Sequence, residues 1–505
     1  MLEIKNLSIE VDFRTIVKDF NLIVHPGDKV AIIGEEGNGK STLLKAIYDT
    51  RFVPYARVTG SIHHNLRIGY LEQMLPDDLL EKQVQEYLFY NLDDYYDKVS
   101  SFYHFSKQLG LDDHMLEQRL RHLSGGEKVK VQILKLLLDD PDILLLDEPT
   151  NDLDIKTLNW LEQFINTTNK PILYVSHDEY LLEHTANVIV HLELIHKKME
   201  ARSTVKRVGY LQYVSERLSW IQKETQVARK EKQVREKQEA KLNQIKNKVE
   251  YQLRTITRKD PHGARLLKKK MKNVKAQERR FDHQSVKQVP DVEEAISLFF
   301  DAVSVPKQKE ILKLNLDGLM INGNVIAKSV NLTVKGPEHL VIIGENGVGK
   351  TSLMRLIYDL LKNRQDIKVG YMPQNYDDIL NNDVTPIQFL EVTGDQDEVS
   401  LHRSYLGNLR FTKEEMINPI RELSGGSKAK LILLKLIIEQ CNVLLLDEPT
   451  RNVSPLTGPV IRRMLKNYGG TIISVSHDRK YIEEAIDRIY ELTKNGLMER
   501  LDKNL

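Results

Sequence analysis

The chain has 505 residues, 41% hydrophobic and 29% charged, which fits a soluble globular protein of two or three domains. No apolar run reaches the roughly 18–20 residues that span a bilayer. The start, MLEIKNLSIEVDF, lacks the regions of a secretory signal, and the single cysteine (Cys441) excludes a disulfide framework or a Cys-cluster metal site. The reducing cytoplasm is the expected location. Net charge is +1, from 73 basic and 72 acidic residues, which taken whole predicts no special attraction to nucleic acid.

In chain order, the first informative element is KVAIIG (29–34), which reads as a buried strand. It runs into GEEGNGKS (Gly34–Ser41) and then STLLKAIY, which reads as a helix. Strand, Gly-rich loop and helix together make G-x-x-x-x-G-K-[ST] credible as a phosphate cradle. Glycines let backbone N–H groups curl round a phosphate, and the helix N-terminus adds a favourable dipole. Gly34, Gly37, Asn38, Gly39 and Thr42 are the expected lining. Lys40 would reach the β- and γ-phosphates, and Ser41 would ligate Mg²⁺. Residues 51–65 (RFVPYARVTGSIHHN) read as an extra loop. Gln73, after Gly-Tyr, is a candidate for contacting metal and water.

LSGGEK (123–128) is a Ser-Gly-Gly turn opening a helix, a second anion-binding terminus. ILLLDEPT (143–150) reads as a buried strand ending in two carboxylates. Asp147 would hold Mg²⁺, and Glu148 would orient and polarise an attacking water, since phosphoryl transfer depends mostly on positioning and charge. His177 closes the strand PILYVSHD, 30 residues after Asp147, and is assigned to the γ-phosphate.

The series then returns. VIIGENGVGKTS (341–352), GYMPQN with Gln374, LSGGSK (423–428), VLLLDEPT (443–450) and SVSHD (474–478) repeat it in the same order. Gly344, Gly347, Gly349 and Ser352 line the second cradle, with Lys350 and Thr351 in place of Lys40 and Ser41. Asp447, Glu448 and His477 stand where Asp147, Glu148 and His177 stood. The offset is 310 positions at the cradle and 300 at the signature and the two later motifs, which is why 51–65 is singled out. The chain divides into domains at 1–195, 196–295 and 296–505. One domain needs no second cradle for one nucleotide, so each LSGG turn is assigned to the nucleotide of the other copy.

Walker A, Q-loop, LSGG signature, Walker B with its Glu, D-loop and H-loop, twice in order, strongly resemble the ATP-binding cassette family across about four fifths of the chain. The resemblance implies an α/β fold class, with two P-loop ATP-binding cassette domains in tandem. It implies a head-to-tail sandwich that hydrolyses ATP with Mg²⁺ at two composite sites. Ser424, Gly425 and Gly426 would close the site of Lys40, Gln73, Asp147, Glu148 and His177. Ser124, Gly125 and Gly126 would close that of Lys350, Gln374, Asp447, Glu448 and His477. Glu148, Glu448, His177 and His477 carry the catalysis. The second D-loop, RNVS (Arg451–Ser454), departs from NDLD (Asn151–Asp154), and Ser427 replaces Glu127. Two competent but unequal sites are therefore expected. Phe13 is the candidate adenine stacker of the first copy, with none in the second.

The middle segment resolves the charge. Residues 196–285 hold 26 Lys+Arg against 10 Asp+Glu, leaving 47 basic and 62 acidic residues elsewhere. Breakers are confined to Pro261 and Gly263 in 210–285, and apolar residues step by three and four at 211, 214, 218 and 221, then 242, 245, 249 and 253. This predicts two antiparallel helices joined near 258–265. Arg254, Arg258, Lys259, His262, Arg265, Lys268, Lys269, Lys270 and Lys272 are the expected RNA contacts, mostly to phosphate.

Twin soluble cassettes joined by a long basic α-helical hairpin linker resemble the ABC-F family. That resemblance implies docking at the ribosomal E site, with the hairpin against P-site tRNA, rRNA and the peptidyl-transferase centre. It implies no DNA, no membrane protein and a monomer with intramolecular cassette pairing. Gln73 to Ser124 spans 51 positions and Gln374 to Ser424 spans 50, so no arm is inserted in the first cassette. Only 28 residues follow His477, short of a DNA-binding extension. Both features look like the ribosome-protection subgroup that confers antibiotic resistance. A housekeeping translation or ribosome-assembly factor is the alternative, and a subunit powering a membrane protein is a third.

Overall fold

A computed structural model describes residues 1–505 except 90–91, 196–199, 256–260, 284–304, 322–323, 452 and 501–505. The chain folds as two compact units. One holds Met1–Leu211 with Glu293–Leu505, and the other is Gln212–Val292.

The first cassette begins with β1 (Leu2–Val11) and β2 (Arg14–Val24), an antiparallel hairpin, followed by β3 (Lys29–Ile33). Next comes β4 (Ala56–His63), which pairs antiparallel with the other edge of β1. The segment 51–65 is therefore mostly a third strand and not a loop. Its alternation of residue types is too weak to announce a strand, because β4 buries none of its residues fully. β5 (Ile68–Leu71), β6 (Ile143–Asp147), β7 (Ile172–Val175), β8 (Val188–Leu194) and β9 (Glu200–Lys206) complete the copy. The main sheet runs β5–β6–β7–β3–β8–β9, parallel except for β9. β3, β6 and β7 are buried at every position, as expected of unbroken apolar strands covered on both faces. Because β9 joins this sheet, the first cassette continues past 195.

The second cassette repeats the plan. β10 (Lys309–Leu316) pairs with β13 (Val330–Gly336), and β11 (Leu319–Ile321) with β12 (Asn324–Ala327). The main strands are β14 (His339–Ile343), β15 (Val369–Met372), β16 (Val443–Asp447), β17 (Thr471–Val475), β18 (Arg488–Thr493) and β19 (Gly496–Arg500). They run β15–β16–β17–β14–β18–β19, the same order as in the first copy.

The second unit is helical. One helix, Tyr210–Thr255, has 46 residues, about 69 Å of length at 1.5 Å per residue. The other, Pro261–His283, begins on a proline, whose missing N–H costs nothing there. Lys246 Nζ lies 2.7 Å from Glu278 Oε1, so the second helix folds back along the first. Leu242, Val249 and Val274 are buried, but Leu218 and Ile245 of the predicted stripe are exposed. Among the described residues no helix is long and apolar enough to cross a membrane.

Candidate functional site

In each main sheet the motif strands are neighbours: β6–β7–β3 and β16–β17–β14. Their carboxyl ends therefore bring together cradle, Walker B carboxylates and histidine, at the edge where parallel sheets bind ligands. The cradle bends away from β3 at Gly34, with φ +152°, where a Cβ would come 2.3 Å from the Leu192 carbonyl oxygen. Only glycine permits that turn, and Gly344 repeats it against Leu492 at 2.4 Å.

Two clefts result. The larger, ≈910 Å³, places Gly347, Gly349, Lys350, Thr351, Ser352 and Gln374 of the second copy opposite Ser124, Gly125 and Gly126 of the first. Asp447, Glu448 and His477 share this cleft. The smaller, ≈280 Å³, is lined by Gly37, Gly39, Lys40, Ser41, Thr42, Gln73, Glu148 and His177. Ser424, Gly425 and Gly426 do not line it. The Gly426 N–H instead donates to Glu36 Oε2 across the cassette interface at 2.8 Å. Asn38 is also set apart: its buried carboxamide donates to the Leu192 carbonyl, leaving only its backbone for a phosphate. Phe13 sits at the tip of the β1–β2 turn, fully exposed, and is no stacker in this arrangement. Val11, Ile16 and Tyr55 line the cleft in its place.

Lys40 Nζ donates to the carbonyls of Gly34 and Glu35 at 2.9 and 3.0 Å, and Lys350 Nζ to those of Gly344 and Glu345 at 2.8 and 2.9 Å. Burial lowers both ammonium groups' pKa, so each gains from an anionic neighbour. Ser41 Oγ donates to Asp147 Oδ1 at 2.9 Å. Burial pushes Asp147 up to about 6 and raises Asp447 as well. Asp447 Oδ2 is buried with no hydrogen-bond partner among the described residues. Hydroxyl, carboxylate and carboxamide oxygens (Ser41, Asp147, Gln73; Thr351, Asp447, Gln374) are the hard donors Mg²⁺ takes, and the orphaned oxygen fits that ion. Mg²⁺ held by these residues would supply neutralisation of the phosphate charge that develops on transfer.

The two carboxylate–histidine pairs differ. In the first copy, His177 Nε2 lies 3.1 Å from Glu148 Oε1, and Nδ1 lies 2.9 Å from the Val453 carbonyl of the other cassette. Both neighbours offer acceptor oxygens to this ring. Burial acts to raise the Glu148 carboxyl, but His177 and Lys40 outweigh it and hold the group below its ordinary value. In the second copy, Glu448 Oε2 accepts weakly from Ser476 Oγ and the His477 N–H at 3.3 and 3.4 Å. Burial, then the Asp447 charge, pushes it up to about 8. Neither ring nitrogen of His477 has a partner among the described residues, and burial lowers it to about 3. Both glutamates have left-handed backbone, φ +51° and +54°, a strain of the kind found at active sites.

The signatures differ too. Ser124 and Glu127 form a capping box, with the Glu127 carboxylate accepting from the Ser124 N–H at 2.8 Å and hydroxyl at 2.7 Å. Ser427 cannot do this, and the Glu36 carboxylate of the other cassette satisfies that helix end. At the D-loops, Asn346 donates to the Asp152 carbonyl and Arg451 pairs with Asp152 Oδ1 at 3.0 Å. Glu36 and Arg451 escaped the motif reading as functional side chains. The available signal was copy-to-copy difference, Glu36 against Asn346 and Arg451 against Asn151.

On the hairpin, Arg254, His262, Arg265, Lys268, Lys269, Lys270 and Lys272 are all exposed. Arg258 and Lys259 lie outside the described residues.

A family model described as "ABC transporter" matches residues 17–151 and 327–451, just over half of the chain. The chain is 29% identical over 525 residues to the ribosome protection protein VmlR of Bacillus subtilis, covering 99% of this chain and 88% of that protein. It is 25% identical over 555 residues to ABC transporter F family member 5 of Arabidopsis thaliana, covering 99% and 75%. In fold it is similar to the archaeal ribosome recycling factor aABCE1, solved with the ribosomal stalk protein aP1. There the TM-score is 0.60 at 17% identity, over 97% of this chain and 90% of that one. Matched in both copies and carrying every cassette motif twice, the chain belongs to the ABC transporter family, whose cassettes are ATPases that use ATP with Mg²⁺.

Proposed function

We propose that this chain is an ABC-F protein that couples ATP binding and hydrolysis to ribosome binding and protects the ribosome from antibiotics. In this reading it docks at the E site as a cytoplasmic monomer. The hairpin extends toward P-site tRNA and the peptidyl-transferase centre, contacting rRNA and tRNA. It serves no membrane protein and binds no DNA. Gly34–Thr42, Gln73, Asp147 and the Ser424–Gly426 signature hold one ATP. Gly344–Ser352, Gln374, Asp447 and the Ser124–Gly126 signature hold the other. Glu148 and Glu448 polarise the attacking water, with His177 and His477 at the γ-phosphate.

One observation carries the reading. A 46-residue helix and its returning partner carry exposed Arg254, Arg265, Lys268, Lys269, Lys270 and Lys272 between two ATP-driven cassettes. Such a rigid basic arm matches an RNA surface, read through phosphates. The full-length likeness to a ribosome protection protein favours a protective role over a housekeeping one. The test is expression in a susceptible bacterium, with inhibitory concentrations measured for macrolides, lincosamides, streptogramins, pleuromutilins and phenicols. A rise for at least one class is expected. No rise for any class, together with a polysome defect on deletion, transfers the reading to a housekeeping translation factor.

A further inference from the structure

Beside the larger cleft, the cassettes meet through a buried cluster of charges. Arg462 Nη2 donates to Glu179 Oε2 at 2.7 Å. Arg479 Nη1 donates to Asn159 Oδ1 and Glu162 Oε2, both at 2.9 Å, and Nη2 to Asp178 Oδ2 at 3.2 Å. The Arg479 guanidinium also lies 3.9 Å from the centre of the Tyr180 ring. Arg462 and Arg479 are each 3% exposed and Glu179 6%. At the margin, Lys480 Nζ and Glu183 Oε2 are 2.7 Å apart.

The repeat gives this cluster its meaning. At the 300-position offset, Glu162 corresponds to Arg462 and Glu179 to Arg479. The contacts 179–462 and 162–479 are thus one contact, made twice about the pseudo-twofold axis. Each time the first cassette supplies the acid and the second the base. Two identical cassettes meeting the same way would oppose Glu179 to Glu162, or Arg479 to Arg462. The second cassette also makes room. Gly458 replaces the first copy's Leu158, and a Cβ there would come 2.8 Å from both Arg462 Nη1 and Glu179 Oε1.

We propose that these sign-segregated contacts form a recognition surface that directs each cassette to the unlike cassette and away from a copy of itself. Buried ion pairs add little net stability, but a buried like-charge pair is costly, so the arrangement selects partners. The linker then favours the unlike cassette of the same chain through its high effective concentration. Arg462, Arg479, Glu162 and Glu179 line neither cleft. Of the cluster, Asp178 alone reaches the lining of the larger cleft.

The test uses the full-length chain and zero-length carbodiimide cross-linking of Glu183 to Lys480, read by mass spectrometry, with molecular mass from light scattering. All variants carry Glu484→Gln, because Glu484 Oε2 is the other acceptor on Arg462, 2.9 Å away. The parent should cross-link within one chain. Glu179→Arg or Arg462→Glu alone should cut the yield about tenfold, and the two together should restore most of it. Wild-type yield in either single reversal, or no recovery in the exchanged pair, overturns the proposal. Should a reversal fail to fold, Glu179→Gln and Arg462→Gln decide the matter. Each alone leaves an unpaired buried charge and should lower the yield, and the double should recover it. Unchanged yield in the singles overturns the proposal equally.

Discussion

Gly126→Ala is the sharpest perturbation of the composite site. Gly126 stands in the first turn of the signature helix Gly125–Asp139, buried at the cassette interface. A Cβ there would lie 2.4 Å from the Asp152 carbonyl oxygen and 2.6 Å from Asn346 Nδ2. Ordinary packing needs about a further 1 Å, and the intruding methyl falls on the Asn346–Asp152 hydrogen bond itself. Overpacking costs about 1–3 kcal/mol, and breaking the bond adds about 1 kcal/mol. Closure of the second site should therefore weaken by about 2–4 kcal/mol, or roughly 30- to 900-fold in turnover. The helix itself prefers Ala over Gly by up to about 1 kcal/mol, so the cassette should not melt markedly earlier. The assay is ATP turnover in a Glu148→Gln background, where the site of Lys350 and Glu448 remains. kcat should fall while nucleotide affinity changes less, because the cradle is untouched. A kcat within about twofold of the Glu148→Gln parent refutes the composite geometry.

Three further outcomes follow from the same structural features. Glu36→Asn, which copies Asn346, frees the Gly426 N–H from a competing carboxylate. Nucleotide affinity at the first site should rise roughly 2- to 5-fold, the equivalent of one helix-terminus charge interaction, in fluorescent-nucleotide titrations; unchanged or weaker binding contradicts it. Burial pushes the Glu179 carboxyl up to about 7, outweighing Arg462. The folded state therefore holds that proton more tightly than the unfolded one, and its contribution to stability falls as pH rises from about 4.5 to about 7. Thermal melting of Glu179→Gln should lack that part of the slope; identical pH profiles contradict it. Replacing Lys268, Lys269 and Lys270 with Ala should weaken ribosome binding and lower its logarithmic salt slope by roughly 0.7–0.9 for each phosphate these lysines neutralise. An unchanged slope places these lysines off the RNA.

Much of the site was legible because its chemistry demands particular residues at particular spacings. Lys40, Asp147, Glu148 and His177 lie at or shortly beyond the carboxyl ends of three adjacent buried strands, each built on an apolar run. What escaped has a different physical origin. β4 exposes too much of itself to show a buried face. Phe13 suggested stacking by residue type, but at the tight β1–β2 turn it is fully exposed and outside the cleft lining. The Glu36–Gly426 bond and the Arg462–Glu179 pair join residues hundreds of positions apart, where periodicity carries no information. The internal repeat does carry it, since a change of charge between equivalent positions marks where the two copies face each other.

In the proposed function, ATP binding by both cassettes is what keeps the protein on the ribosome. The direct measurement is co-sedimentation of the Glu148→Gln/Glu448→Gln chain with ribosomes, with and without ATP, across a salt series. ATP-dependent pelleting at low salt that weakens steeply as salt rises is expected. A chain that binds ATP without cleaving it, yet stays in the ribosome-free supernatant at low salt, would contradict it.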